Sequence, residues 1–303
     1  MKQFADTLTD LVYFSRFFAL RFPVIFETCR ANLEAGGIEV RTIGGNQNIW
    51  IRDWAPAQVG DCLVKFGYKG YSKDGLSAGY EDYPWLIIPD KCITGLNTFK
   101  PLNNSTLVLD GGGVVRSKST AVITEKVFLD NPTINQLEIL AKLQEIFNLD
   151  VIIIPMEPGD TLGHSDGICK YVDETTLLVN DYSCMQSKEF DKYQEEILSR
   201  FHKAGLTTVL MPYVYDRCPQ MTEDIFRARF PFSDDFNAAY GYYINFLLTK
   251  SVILAPVFGI EKDKEAITTL KMMYPNHSVV AVNCAELSME GGLLSCVTSN
   301  YIK

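Results

Sequence analysis

Histidine is scarce in this chain, with only three among 303 residues, and none of its eight cysteines stands in a Cys-x-x-Cys pair. Metal centres usually draw on several histidines or on paired cysteines. The two histidines outside motifs, His202 in a charged stretch and His277 in a Pro-Asn turn, do not suggest one. Scattered cysteines in a chain of this length read as reduced thiols of a cytoplasmic protein, with Cys62, Cys169 and Cys184 expected to pack as small apolar residues. Basic charge is also in deficit: 28 Lys and Arg against 37 Asp and Glu give a net charge of −9, which argues against a nucleic-acid partner.

Long apolar runs are missing as well. The stretch Leu8 to Cys29 follows Asp6 and Asp10 and is interrupted by Arg16 and Arg21, so it reads as an amphipathic helix and not as a signal peptide. No run approaches the roughly 18 uninterrupted apolar residues of a membrane span, and no membrane role is expected. No Pro/Gly/Ser-rich linker, charge block or low-complexity tract divides the chain, so residues 1–303 are expected to form a single domain.

What the chain does contain is a repeat. Strand-like residues, an amphipathic helix and a closing apolar strand recur as Thr120 to Leu129, Ile134 to Phe147 and Val151 to Pro155. They recur again as Thr176 to Asn180, Glu189 to His202 and Thr207 to Pro212, and as Ser251 to Pro256, Lys264 to Met273 and Ser278 to Val282. Between the last two copies lies an insertion, Asp216 to Asn237, rich in turns and charges, which reads as a functional loop. The N-terminal third fits the period less well, although Ile38 to Ile43 and Cys62 to Phe66 read as strands. A unit of this size cannot bury its own apolar face, so several must pack together in an α/β body.

Four segments break the pattern: Trp50-Ile-Arg-Asp-Trp-Ala-Pro56, Leu109-Asp-Gly-Gly-Gly113, Gly163-His-Ser-Asp-Gly167 and Glu290-Gly-Gly-Leu-Leu-Ser-Cys296. Each sets a polar or nucleophilic group beside glycine or proline, where the backbone can turn and approach a ligand closely. The near-equal spacing of Asp53, Asp110 and His164 suggests that each unit delivers one such loop to a shared centre. Three carboxylates, Asp53, Asp110 and Asp166, with His164 and the thiol of Cys296, suit a planar cation. A guanidinium stays charged at all relevant pH, and its forked N–H donors match carboxylates bidentately. Two carboxylates gripping its nitrogens would fix its plane and leave its carbon open to a thiolate.

Taken in order, these four motifs resemble the agmatine deiminase and Porphyromonas-type peptidyl-arginine deiminase family of guanidine-modifying enzymes. Ala239-Tyr-Gly-Tyr-Tyr-Ile-Asn245 and Ala255-Pro-Val-Phe-Gly259 are similar to that family's stretch between its histidine and its cysteine. The resemblance covers nearly the whole chain. It implies a five-bladed α/β-propeller, the pentein fold, built from ββαβ units with neither metal nor cofactor. It also implies Cys296 as nucleophile, His164 as general acid and base, and Asp53 and Asp166 as carboxylates that bind a small-molecule guanidine. Asp110 stands where the family more often has Glu, and the family's Gly-Gly-Gly-Asn-Ile-His-Cys is here Glu290-Gly-Gly-Leu-Leu-Ser-Cys296. Trp50 is expected to wall the site, and Arg116, close after the Asp110 turn, to meet a substrate carboxylate if there is one.

Several alternatives stay open at this level. Asp53 beside Arg52 also reads as a structural ion pair, Asp110 before its glycines as a plain turn, and the His164-x-Asp166 pair with Asp53 and Cys296 as zinc ligands. Agmatine, free arginine and peptidyl-arginine are all compatible substrates, with agmatine first on whole-chain resemblance. An amidinotransferase and a guanidine-binding module without turnover are the competing functions. No oligomeric state is legible.

Overall fold

A computed structural model of the chain describes residues 4–44, 48–68, 100–101, 106–214 and 239–303. The strands are β1 Leu11–Ser15, β2 Glu39–Ile43, β3 Ala57–Val59, β4 Cys62–Val64, β5 Lys100–Pro101, β6 Val114–Arg116, β7 Thr120–Thr124 and β8 Asp150–Ile154. They continue with β9 Cys169–Tyr171, β10 Thr176–Asn180, β11 Thr207–Met211, β12 Leu247–Leu248, β13 Val252–Val257, β14 Ser278–Asn283 and β15 Thr298–Tyr301. These form five three-stranded sheets in the orders β15-β1-β2, β3-β4-β5, β6-β7-β8, β9-β10-β11 and β12-β13-β14.

Every sheet follows one plan. The first two strands pair antiparallel and the third pairs parallel to the middle one, as in β6 with β7 and β7 with β8. A parallel partner requires a crossover, and helices supply it: Gln136–Phe147 between β7 and β8, Lys188–Lys203 between β10 and β11, and Lys262–Met273 between β13 and β14. The middle strands are apolar on both faces, with Leu177, Leu178 and Val179 of β10 and Ile253, Leu254 and Ala255 of β13 fully buried. Helix ends follow local chemistry. Asn135 and Ser187 cap the helices of the third and fourth sheets by accepting from the amides of Leu137 and Glu189.

Three expectations need correction. Leu8 to Cys29 is not one helix: Leu11–Ser15 is a wholly buried strand between β15 and β2, followed by helices Arg16–Arg21 and Pro23–Ala35. The physical reason is burial on both sides, for a strand sandwiched between two others presents no polar face for an amphipathic pattern to mark. Ser15 then starts the first helix by accepting from the Phe17 amide. In Thr120 to Leu129 the strand ends at Thr124, and Lys126–Asp130 is helical, braced by the Lys126–Asp130 ion pair one turn apart. Of the cysteines, Cys169 packs in the core as expected, but Cys62 is only half-buried and Cys184 is exposed; no disulfide joins the six described cysteines. The insertion Asp216 to Asn237 lies outside the described residues. Among the described residues no helix is long and apolar enough to cross a membrane.

The loop leaving β8 is fixed by a buried carboxylate. Glu157 accepts from the hydroxyls of Tyr182, Tyr213 and Tyr242 at 2.6, 3.3 and 2.8 Å. Burial pushes the Glu157 carboxyl from its ordinary 4.5 up to about 7, against the pull of these hydroxyl donors. A carboxyl raised on folding contributes stability in full below its unfolded pKa, and that contribution is lost as pH rises through the folded one. The melting temperature of the native protein should therefore fall relative to that of Glu157→Gln between about pH 5 and about pH 8. Parallel melting curves across that range would contradict this reading of Glu157.

Candidate active site

The four motif segments all lie immediately before the first strand of a sheet. Asp53 is on the short helix Ile51–Trp54 before β3, Asp110 precedes the turn Gly111–Gly113 before β6, and His164 and Asp166 flank Ser165 before β9. Cys296 ends the glycine-led turn before β15. The remaining sheet contributes at the same position: Asn245 stands just before β12.

Backbone contacts fasten these joints together. The Arg52 amide donates to the Cys296 carbonyl and its guanidinium to the Ser295 carbonyl, both at 3.1 Å. Arg52 thus ties its segment to the cysteine turn, so a local Arg52–Asp53 pair is not needed to explain the arginine. The Ser165 hydroxyl donates to the Gly113 carbonyl at 2.9 Å. Two glycines are required by close approach: a Cβ on Gly111 would lie 1.9 Å from the Arg52 carbonyl oxygen, and one on Gly112 would lie 2.7 Å from His164 Nδ1 and 2.8 Å from Asp53 Oδ1. Asp166 Oδ1 is 3.2 Å from that same point. Asp53, His164 and Asp166 therefore converge around the Gly112 backbone.

The imidazole of His164 lies between two carboxylates. Nε2 is 3.2 Å from Asp110 Oδ2, and Nδ1 is 3.7 Å from Asp53 Oδ1. Asp53 in turn accepts from the Gly112 amide at 3.2 Å. Burial disfavours a charged imidazole, but Asp53, Asp110 and Asp166 outweigh it and hold the His164 pKa well above its ordinary value. Burial also raises Asp53, as do the neighbouring Asp110 and Asp166, while His164 and the Gly112 amide oppose the rise. Cys296 is buried, and burial, then Asp166 and Asp53, push its thiol well above the usual range, against hydrogen bonds from Leu293 and with Asn245. Its Sγ donates to Asn245 Oδ1 at 3.4 Å, and Asn245 Nδ2 donates to the Asp166 carbonyl at 3.3 Å.

Asp166 divides its oxygens. Oδ2 accepts from the Ser295 hydroxyl at 2.7 Å, whereas Oδ1 is buried without a hydrogen-bond partner among the described residues. A buried, unpaired carboxylate oxygen is costly unless a donor arrives. Beside two more acids, it marks where a cation would dock. Trp50 reaches the same neighbourhood, since a Cβ on Gly292 would meet the Trp50 ring at 2.5 Å and Cys296 Cβ at 3.1 Å.

Arg116 is placed differently. It lines a cavity of about 50 Å³ together with Asp53, Asp110 and Asp166, which Cys296, His164 and Trp50 do not line. Its guanidinium donates to the Gln58 carbonyl at 2.7 Å and lies 4.2 Å from the Phe4 ring centre and 5.1 Å from that of Phe147. Burial lowers its pKa to about 10. Among the described residues, no group of three His, Cys, Asp or Glu side chains is arranged to hold a metal ion.

Sequence reasoning missed Asn245, Ser295 and Lys170. The signal for Asn245 was positional, since it ends the one joint to which no charged residue drew attention.

Comparison with known proteins places this arrangement among relatives. The family model for Porphyromonas-type peptidyl-arginine deiminase matches residues 21–301. The agmatine deiminase of Pseudomonas aeruginosa is 28% identical over 299 residues, spanning 90% of this chain and 79% of that protein. Among solved structures, the agmatine deiminase of Enterococcus faecalis superposes with a TM-score of 0.74 at 19% identity, covering 99% of this chain and 96% of that one. A putative arginine deiminase of Porphyromonas gingivalis gives 0.72 at 15% identity, covering 99% and 98%. At such identities the structural likeness establishes the α/β fold alone.

Proposed function

Since the chain belongs to the Porphyromonas-type peptidyl-arginine deiminase family, we propose that it hydrolyses the guanidine of agmatine to a ureido product and ammonia, with Cys296 as nucleophile. The observation that carries this reading is the set of buried acids around His164 and Cys296, with Asp166 Oδ1 left without a hydrogen-bond partner among the described residues. The Asp166 oxygen beside Asp53 and Asp110 calls for an N–H donor, and a guanidinium supplies forked donors that carry a positive charge.

The chemistry follows from the same geometry. Asp53 and Asp166 grip the guanidinium nitrogens, Asp110 braces His164, and Trp50 walls the site. The thiol of Cys296 is hard to ionise among these acids alone, so the arriving cation promotes its ionisation, the proton leaving to solvent. The thiolate attacks the guanidinium carbon. The imidazolium of His164 protonates the leaving nitrogen, ammonia departs, and an S-alkylthiouronium remains on Cys296. Water then gives a proton to His164 and attacks, and collapse of the second tetrahedral centre expels the sulfur, which takes up the hydroxyl proton to restore the resting thiol as the neutral ureido product leaves. No cofactor enters this sequence.

Agmatine is favoured over arginine by Arg116. Its guanidinium is already engaged by the Gln58 carbonyl and two aromatic faces, which argues against its capturing a substrate α-carboxylate. Agmatine carries no such group. We read the five sheets as the blades of one α/β-propeller spanning a single domain, 1–303, in a cytoplasmic protein. The shared sheet plan supports that reading, as does the sheet β15-β1-β2, which joins the two ends of the chain.

The test is ammonia release from agmatine, free arginine and arginyl peptides, with and without an added primary amine. Release from agmatine first, unaffected by the amine, is expected. Amidino transfer to the amine would instead identify a transferase, and binding without release a guanidine-binding module.

A further inference from the structure

One buried cation has no part in the chemistry above. Lys170, on β9, is only 4% exposed, and its Nζ lies 3.5 Å from the Ser295 hydroxyl and 5.5 Å from the centre of the Phe246 ring. The Ser295 hydroxyl in turn lies 2.7 Å from Asp166 Oδ2. The direction of these bonds is fixed by what each group can do. An ammonium has three donors and no acceptor, so the serine oxygen must accept from Lys170. The single hydroxyl proton of Ser295 then goes to Asp166. Lys170 thereby prevents Ser295 from turning away, and Ser295 occupies Oδ2 so that Oδ1 is the oxygen left for a ligand.

We propose that Lys170 and Ser295 form a positioning relay that orients Asp166 for the substrate guanidinium. The proposal rests on the clamp role given to Asp166 above. The buried ammonium also lines the same cavity as Asp53, Asp110 and Asp166 and so brings counter-charge to it. Ser295 stands where the agmatine-type motif quoted above has histidine. Its backbone is anchored at both ends, for its amide donates to the Asn245 carbonyl at 3.1 Å and its own carbonyl accepts from Arg52.

The test is agmatine affinity by titration calorimetry in a Cys296→Ser background, where turnover does not interfere. Ser295→Ala should weaken binding by about tenfold or more, the usual worth of a hydrogen bond to a charged group. Ser295→Thr, which keeps the hydroxyl, should restore it. Lys170→Met should weaken binding in the same direction. On an Asp166→Asn background, Ser295→Ala should cost little more, because the relay acts only through that carboxylate. Equal losses from Ser295→Ala with and without Asp166→Asn would overturn the relay, as would unchanged affinity in Ser295→Ala. If Ser295→Ala does not fold, the cycle of Lys170→Met with Asp166→Asn decides by the same criterion. Full agmatine affinity in Asp166→Asn alone would refute instead the clamp role on which the relay depends.

Discussion

Cys296→Ser should abolish ammonia release from agmatine while leaving agmatine binding measurable. A serine hydroxyl is a far weaker nucleophile than a thiolate, and nothing here would ionise it: His164 is itself held protonated by its carboxylate neighbours. Loss of the covalent step should cost at least about a thousandfold in kcat. Binding should persist because Asp53 and Asp166, the carboxylates proposed to hold the cation, are untouched, and the Asn245 side chain that meets Sγ can accept from a hydroxyl as well. An active Cys296→Ser enzyme would overturn the assignment.

The second large effect is expected from Asp53→Asn and Asp166→Asn, which keep shape but remove charge. Each charge-assisted hydrogen bond to the guanidinium is worth about 1.5–3 kcal/mol, so kcat/KM should fall by about 10- to 100-fold for either substitution. Stability should move the other way for Asp53. Its carboxyl is raised by burial and by Asp110 and Asp166, so it sits in the folded protein at a cost that an amide does not bear. Asp53→Asn should therefore melt at the same temperature as the native protein or higher while losing activity, the trade expected where a site stores unfavourable electrostatics for function. Retained activity, or a fall in melting temperature, would contradict that account.

Much of this was legible from the sequence where pattern and burial coincide. The units around Gln136–Phe147, Lys188–Lys203 and Lys262–Met273 announce themselves because amphipathic helices alternate with strands rich in Val, Ile and Leu. Leu11–Ser15 stayed hidden because its apolar run merges into the apolar residues of the helices that follow it. Its sheet partner β15 is at the other end of the chain, a pairing no local pattern records.

The candidate site was legible as charged and nucleophilic residues beside glycines. Asp53, Asp110, His164 and Asp166 do converge, and Gly112 is glycine because three of those side chains crowd it. The contacts of Asn245, Ser295 and Lys170 were not legible, since a neutral amide, a hydroxyl and a strand lysine carry no signature until the fold brings them to Cys296 and Asp166. For Arg116, closeness to the Asp110 turn could be read along the chain, but the Gln58 carbonyl that engages it lies 58 residues away and could not.

Covalent chemistry at one sulfur is the central claim, and acid-quenched peptide mass mapping of the enzyme during agmatine turnover tests it most directly. The expected result is a single adduct, equal in mass to agmatine less ammonia, on the peptide that contains Cys296. An adduct on Cys169 or any other cysteine in its place would contradict it.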